Sequence, residues 1–378
     1  MPNYLDMVIQ IQEIMEVIMN KISTKEIFTV LVSLFILIFP MVATQIILNK
    51  GNTSSLLVLI IGFVLGLIPL YIIIYLGNKS NNKSIFVYNK DNFKILGSII
   101  NVLYILLFLF LLFVLSYTIL NFTINQLLVR NSYYIVAFIY SFLITLAACK
   151  GKEIICRASI ILYFLLMISI IFGFIMLIPE ITLDNILPII STDYKTIISL
   201  AVTIPSYSVL LFISILCLKK SDIIDKEKLN KTIIKAYLTG ALIVLIFYFF
   251  IIGVYGIELA SIYIYPEYYL FKKINLFNFI QRVENIMATS FYISSFSGIC
   301  FMIYFIKIYF KDTFKVKDKN KINIFIFVLT IAISFSSTFI FTHYKMQILI
   351  LKFPYIFGCI FIVLIINFLL SAIKRDNN

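Results

Sequence analysis

Ten runs of at least 19 residues in this chain contain no Asp, Glu, Lys or Arg: 27–49, 51–78, 97–129, 131–149, 158–179, 196–218, 236–257, 285–306, 322–344 and 353–373. About 20 apolar residues in a helix cross about 30 Å of hydrocarbon. The runs are continuous rather than short and alternating, so they predict helices and not a barrel. The chain is 62% hydrophobic and 13% charged over 378 residues. A soluble domain is about 45–50% apolar and could not hide this excess in one core. The expectation is an all-α integral membrane protein with ten transmembrane helices.

The net charge of +13 follows from topology. With the N-terminus inside, the inner segments near 79–94, 150–157, 219–235 and 307–321, with both chain ends, hold 23 of the 31 Lys and Arg residues. That asymmetry is the positive-inside pattern. It places both termini in the cytoplasm and removes any need for nucleic acid as a partner. The Lys-rich inner loops are expected to meet anionic membrane lipid. We divide the chain into a cytoplasmic N-terminal segment at 1–25, a ten-span domain at 26–373 and a cytoplasmic tail at 374–378.

Enzymatic function finds no support. The single histidine, His343, cannot build a zinc site alone, and the five cysteines include no CxxC pair. The sequence implies no cofactor, metal centre or catalytic set.

Five spans precede residue 196 and five follow it, so the second half enters from the opposite face. This is the arithmetic of a 5+5 inverted repeat. Each half opens on a span with a central proline, Pro40 in span 1 and Pro205 in span 6, at similar depths from the inner ends. Proline removes one helical hydrogen bond and crowds the preceding turn. In hydrocarbon the freed carbonyl needs a partner or a cavity. Paired breaks therefore point to a midplane binding site. Polar stripes join them: Thr29, Ser33 and Thr44 in span 1, Ser199, Thr203 and Ser206 in span 6, and Ser290, Ser294 and Ser297 in span 8. Such stripes serve helix packing as well as ligands. Tyr104 and Phe108, one turn apart in span 3, can wall a pocket or simply pack. Gly62 and Gly66 predict a close helix approach in span 2. No acidic residue lies mid-span, so coupling carboxylates of the kind used by proton pumps are not expected. Arg282 and Glu284, at the start of span 8, serve as boundary anchors, a gate or a subunit contact.

Several stretches carry a family likeness: Asn185-Ile-Leu-Pro-Ile-Ile leading into span 6, Leu210–Leu218 running into Lys219-Lys220, Phe279-Ile-Gln-Arg-Val-Glu284 before span 8, the Pro40 region, and the ending Leu369–Arg375. In these the chain resembles the B-subunit of spore nutrient germinant receptors, a branch of the amino acid–polyamine–organocation permease superfamily. The resemblance implies spans 1 and 6 broken at the centre. It also implies a subunit that senses an amino acid or similar small nutrient in the spore inner membrane, beside A- and C-subunits. Carried onto this chain, the ligand contacts would be Phe39, Pro40 and Met41; Tyr104 and Phe108; Thr203, Ile204, Pro205, Ser206 and Tyr207; and Ser290 and Ser294. An amino-acid transporter working by alternating access is the second reading. The chain departs from the pattern in having no glycine from Ser33 to Phe39, and Ser206-Tyr207-Ser208 where many relatives have Gly-Glu. A glycine-free span 1 would expose fewer amide donors to a carboxylate.

Overall fold

The computed structural model describes residues 21–274, 284–340, 349 and 351–374; Arg282 lies outside them, as do the side chain of Met41 and residues 1–20 of the expected N-terminal segment. Among the described residues nine helical stretches are long and apolar enough to cross a membrane. The tenth expected span is span 1, which is helical but divided. A 15-residue helix, Thr24–Ile38, ends in a π-helical turn, Phe39–Ala43, and an eight-residue helix, Thr44–Gly51, follows. Neither piece alone is long enough to cross.

Span 2 is Ser55–Ser80 and span 3 is Ile85–Phe122, which turns a corner at Lys94. Asn89 and Asn101 brace that corner: Asn89 Nδ2 donates to Asn101 Oδ1 at 2.9 Å, and Asn101 Nδ2 to Phe86 O at 2.8 Å. Spans 4 and 5 are Tyr133–Lys150 and Lys152–Leu177. Span 6 is broken more severely than span 1. It consists of a helix Tyr194–Ala201, a five-residue helix Ile204–Ser208, and a 3-10 segment Leu210–Cys217. Span 7 is Leu229–Ile262, and a short loop helix, Pro266–Lys272, follows it. Spans 8, 9 and 10 are Glu284–Phe314, Lys319–Ile340 and Phe353–Ile373.

Proline accounts for the form of the first break. Pro40 has no N–H to give, and its ring crowds the carbonyl one turn back. A π turn takes in an extra residue and moves that clash aside. The backbone N–H of Thr44 then closes the turn on Phe39 O. The start of the span is set by a capping box, in which Ser23 Oγ accepts from Glu26 N and Glu26 carboxylate accepts from Ser23 N.

Both broken spans lie at the core. The 44–51 half of span 1 packs on the 194–201 half of span 6, while 24–38 packs on the 3-10 segment 210–217. The π turn touches Ile204–Ser208. The spans therefore run antiparallel with their breaks at one level, as the inverted repeat predicts. Spans 7 and 8 pack against 24–38 as well. Where span 1 begins, Ile22 pairs with the segment following span 6: Ile22 N donates to Asp222 O at 2.8 Å and Ile224 N to Ile22 O at 3.0 Å. An ion pair from Lys152 to Asp222 and a Thr29–Ser159 hydroxyl contact of 2.6 Å bind span 5 to the same corner.

Span 2 shows how two faces are assigned. Ile60, Val64, Ile68 and Tyr71 are each at least half exposed and form one stripe toward lipid. The opposite face carries Gly62 and Gly66. A Cβ on Gly62 would lie 2.3 Å from Ile204 Cβ, and one on Gly66 would lie 2.1 Å from Tyr237 Oη. The close approach predicted from the glycines is thus made to the break of span 6 and to span 7.

Gly62→Val should cost about 1–3 kcal/mol by overpacking a rigid β-branched neighbour, read as a lower melting temperature in detergent. Gly77→Ala meets only an ordinary 3.5 Å contact and should leave it unchanged.

Candidate functional site

Aromatic rings fill the space between the two breaks. Phe39, in the π turn, stacks on Phe35 with centroids 5.5 Å apart and lies 6.4 Å from the Tyr207 ring of span 6. Tyr207 in turn lies parallel to Phe353 of span 10 at 5.4 Å. Phe63 and Tyr237 close the cluster from spans 2 and 7. Tyr237 Oη donates to Phe63 O at 2.8 Å, so its polar end is satisfied within the apolar wall. The Tyr207 hydroxyl is buried and makes no hydrogen bond.

The predicted residues fall into three groups. Phe39, Pro40, Ile204, Pro205, Ser206 and Tyr207 converge where the two breaks touch. Ser290 and Ser294 line buried positions of span 8, but their hydroxyls donate back along the helix, to Ile286 O and Ser290 O, at 3.0 Å each. Thr203 and Ser206 do the same, to Leu200 O and Thr203 O. Such back-bonding spends the donor and leaves only acceptor capacity. Tyr104 and Phe108 point to other elements. Asn367 Nδ2 of span 10 donates to Tyr104 Oη at 3.1 Å, and Phe108 lies 4.2 Å from the Phe305 ring of span 8. Glu284 stands half-buried at the first turn of span 8.

One functional group escaped sequence reasoning. Glu267, on the loop helix after span 7, is 1% exposed. Its Oε1 lies 2.5 Å from Thr44 Oγ1, directly after the π turn, and its Oε2 has no partner. Burial raises its carboxyl to about 7, against a smaller lowering by the Thr44 hydrogen bond. The Tyr248 hydroxyl of span 7 stands beside Thr44, within electrostatic reach of Glu267 and Tyr207. Ser33 of span 1 and Ser297 of span 8 add two more buried hydroxyls without partners. A loop position carries no sign of such burial. The acidic residue beside Pro266, in a Tyr-rich segment, was the available signal.

A family profile described as "Spore germination protein", the spore permease family, matches residues 21–342. The chain belongs to this family of multi-pass membrane proteins. No curated protein sequence matches it. Among solved structures, a Na+-coupled sialic acid symporter in a substrate-bound outward-open state superposes with a TM-score of 0.61 at 13% identity, covering 90% of this chain and 78% of that one. At that identity the likeness concerns the fold: an all-helical transporter-type architecture.

Tyr104→Phe should lower the melting temperature more than Tyr207→Phe. The first strands the buried Asn367 amide, at about 1–3 kcal/mol, whereas the second removes a hydroxyl that has no protein partner. Thermal unfolding of the two variants in detergent checks the order.

Proposed function

We propose that this chain is the nutrient-sensing membrane subunit of a spore germinant receptor. In this reading a small ligand, an amino acid or a similar nutrient, binds where the breaks of spans 1 and 6 meet. Phe39 and Tyr207 supply its apolar walls, and spans 3 and 8 border the site. The observation that carries the reading is the buried Tyr207 hydroxyl, which has no partner at the point where the two breaks touch. Buried polar groups cost about 1–3 kcal/mol each when unmade, so selection keeps them where something polar is to be held. The family match supports the spore context.

The protein would lie in the spore inner membrane with both termini in the cytoplasm, among membrane lipids and beside A- and C-subunits that read its conformation. Arg282 and Glu284, at the start of span 8, are the proposed gate or subunit contact. Ligand shifts the receptor only by its differential affinity for two packings of the broken spans. Fewer free backbone amides at a π turn than at an unwound segment suit a ligand held through its neutral groups.

A secondary transporter working by alternating access is the second reading, favoured by the fold of the symporter neighbour. Uptake of labelled amino acids into proteoliposomes holding this chain separates the two: the receptor reading expects no accumulation, and uphill uptake overturns it.

Deleting the gene in its host should abolish germination toward at least one nutrient in a panel. Tyr207→Phe should weaken that response at unchanged protein level, by roughly tenfold in nutrient concentration for a lost hydrogen bond of about 1.4 kcal/mol. An unchanged dose response would remove Tyr207 from the site.

A further inference from the structure

A hydroxyl group has one hydrogen, and Thr44 Oγ1 has two claims on it. It lies 3.1 Å from Phe39 O, inside the π turn, and 2.5 Å from Glu267 Oε1. With Glu267 ionised, Thr44 can donate to only one of them. With Glu267 protonated both contacts are made: the acid O–H donates to Thr44 Oγ1, and Thr44 donates to Phe39 O. The protonated form is therefore the one that completes the hydrogen bonding of the break.

The surroundings agree. Glu267 forms no ion pair among the described residues. The loop helix packs on spans 7 and 8. From span 7, the Tyr248 hydroxyl stands beside Thr44 and within electrostatic reach of the carboxyl and of Tyr207. Tyr255 is committed elsewhere, donating to Tyr269 O at 2.6 Å. From span 8, Tyr292 shares its hydrogen bond with Thr123, and Glu284 stands at the helix start. On the loop helix itself, the Lys272 ammonium sits over the Tyr269 ring, 5.6 Å from its centroid, and Tyr268 packs edge-on against Phe122 of span 3. A carboxylate here would thus be a lone buried charge, a state that proteins avoid by taking up a proton.

We propose that Glu267 and Thr44 form a proton-binding site that sets the span 1 break. Proton uptake from water onto the carboxyl locks the loop helix to Thr44 and completes the π turn at Phe39. Proton release leaves Phe39 O with only its backbone partner and drives the ionised carboxylate toward water, loosening the loop helix from the bundle. The site is thus an acid-sensitive latch between an extramembrane segment and the break. It stands on Glu267 and needs no nutrient, so its test is independent of the receptor reading.

The test uses the full chain in lipid nanodiscs, with protons as the probe. Melting temperature is followed from about pH 6 to about pH 8.5, in sodium chloride and in choline chloride. The wild type should lose about 2 °C over that range, since an acid whose native pKa is raised loses its stabilising proton as pH climbs. Glu267→Gln, which keeps a donor toward Thr44, should be flat. The infrared band of a protonated carboxyl should titrate in the wild type and be missing from the variant. This readout on the wild type holds even if the variant fails to fold. Identical pH profiles for the two proteins, or no titrating carboxyl band, overturn the proposal. Stabilisation at high pH by sodium but not choline, lost in Glu267→Gln, overturns it in favour of a metal cation.

Discussion

A backbone carbonyl in hydrocarbon has to find a donor, and around Pro40 the chain cannot supply one in the ordinary way. Everything at the centre of this molecule follows from that constraint. The π turn is the local answer, closed on Phe39 O by the Thr44 amide. Its cost is a widened backbone that needs support from several sides. Phe39 is wedged among Phe35, Phe63 and Tyr207. Span 2 can come close enough to help only because Gly62 and Gly66 lack side chains. The break is thus a junction of at least four elements.

Much of this was legible before any coordinates. Charges cannot reside in hydrocarbon, so the ten uncharged runs marked the spans, and the prolines marked the breaks. Similar depths of Pro40 and Pro205, counted from the expected inner ends, became two turns in contact. Other features depended on distance in the fold. Nothing local distinguishes a π turn from an unwound segment, since the choice lies in how Phe39 and its neighbours pack. Ser206 of span 6 and Ser290 and Ser294 of span 8 are buried but spend their hydroxyls within their own helices, whereas Ser297 is buried without a partner and Ser199 is exposed. Glu267 was the largest omission. A carboxylate counts as excluded from a bundle only while it is judged by its own segment, and here a loop helix carries it 223 positions back to Thr44.

The two broken spans are not equivalent. Span 1 keeps a continuous, if widened, helical path from Thr24 to Gly51. Span 6 gives up the α-helix for the whole stretch Leu210–Cys217, where Ile-, Leu- and Phe-rich sequence is buried on all sides. A 3-10 segment rises more per residue and bonds less well than an α-helix. Its stability here comes from burial, so the second half of span 6 is held by its neighbours rather than by its own ladder.

The short pairing of Ile22 with the segment after Asp222 has a mechanical consequence. It ties the beginning of one broken span to the end of the other, so on that face the two behave as a clamped base. Separating them there means breaking two backbone hydrogen bonds together. The opposite ends are strapped as well: just past 44–51 and just before 194–201, Ser191 N and Thr192 N donate to Ser54 Oγ at 2.8 and 3.2 Å, and Thr53 Oγ1 donates to Pro188 O at 2.5 Å. A pair of rods held at both ends yields between them, and the level left to yield is the one where Phe39 meets Tyr207.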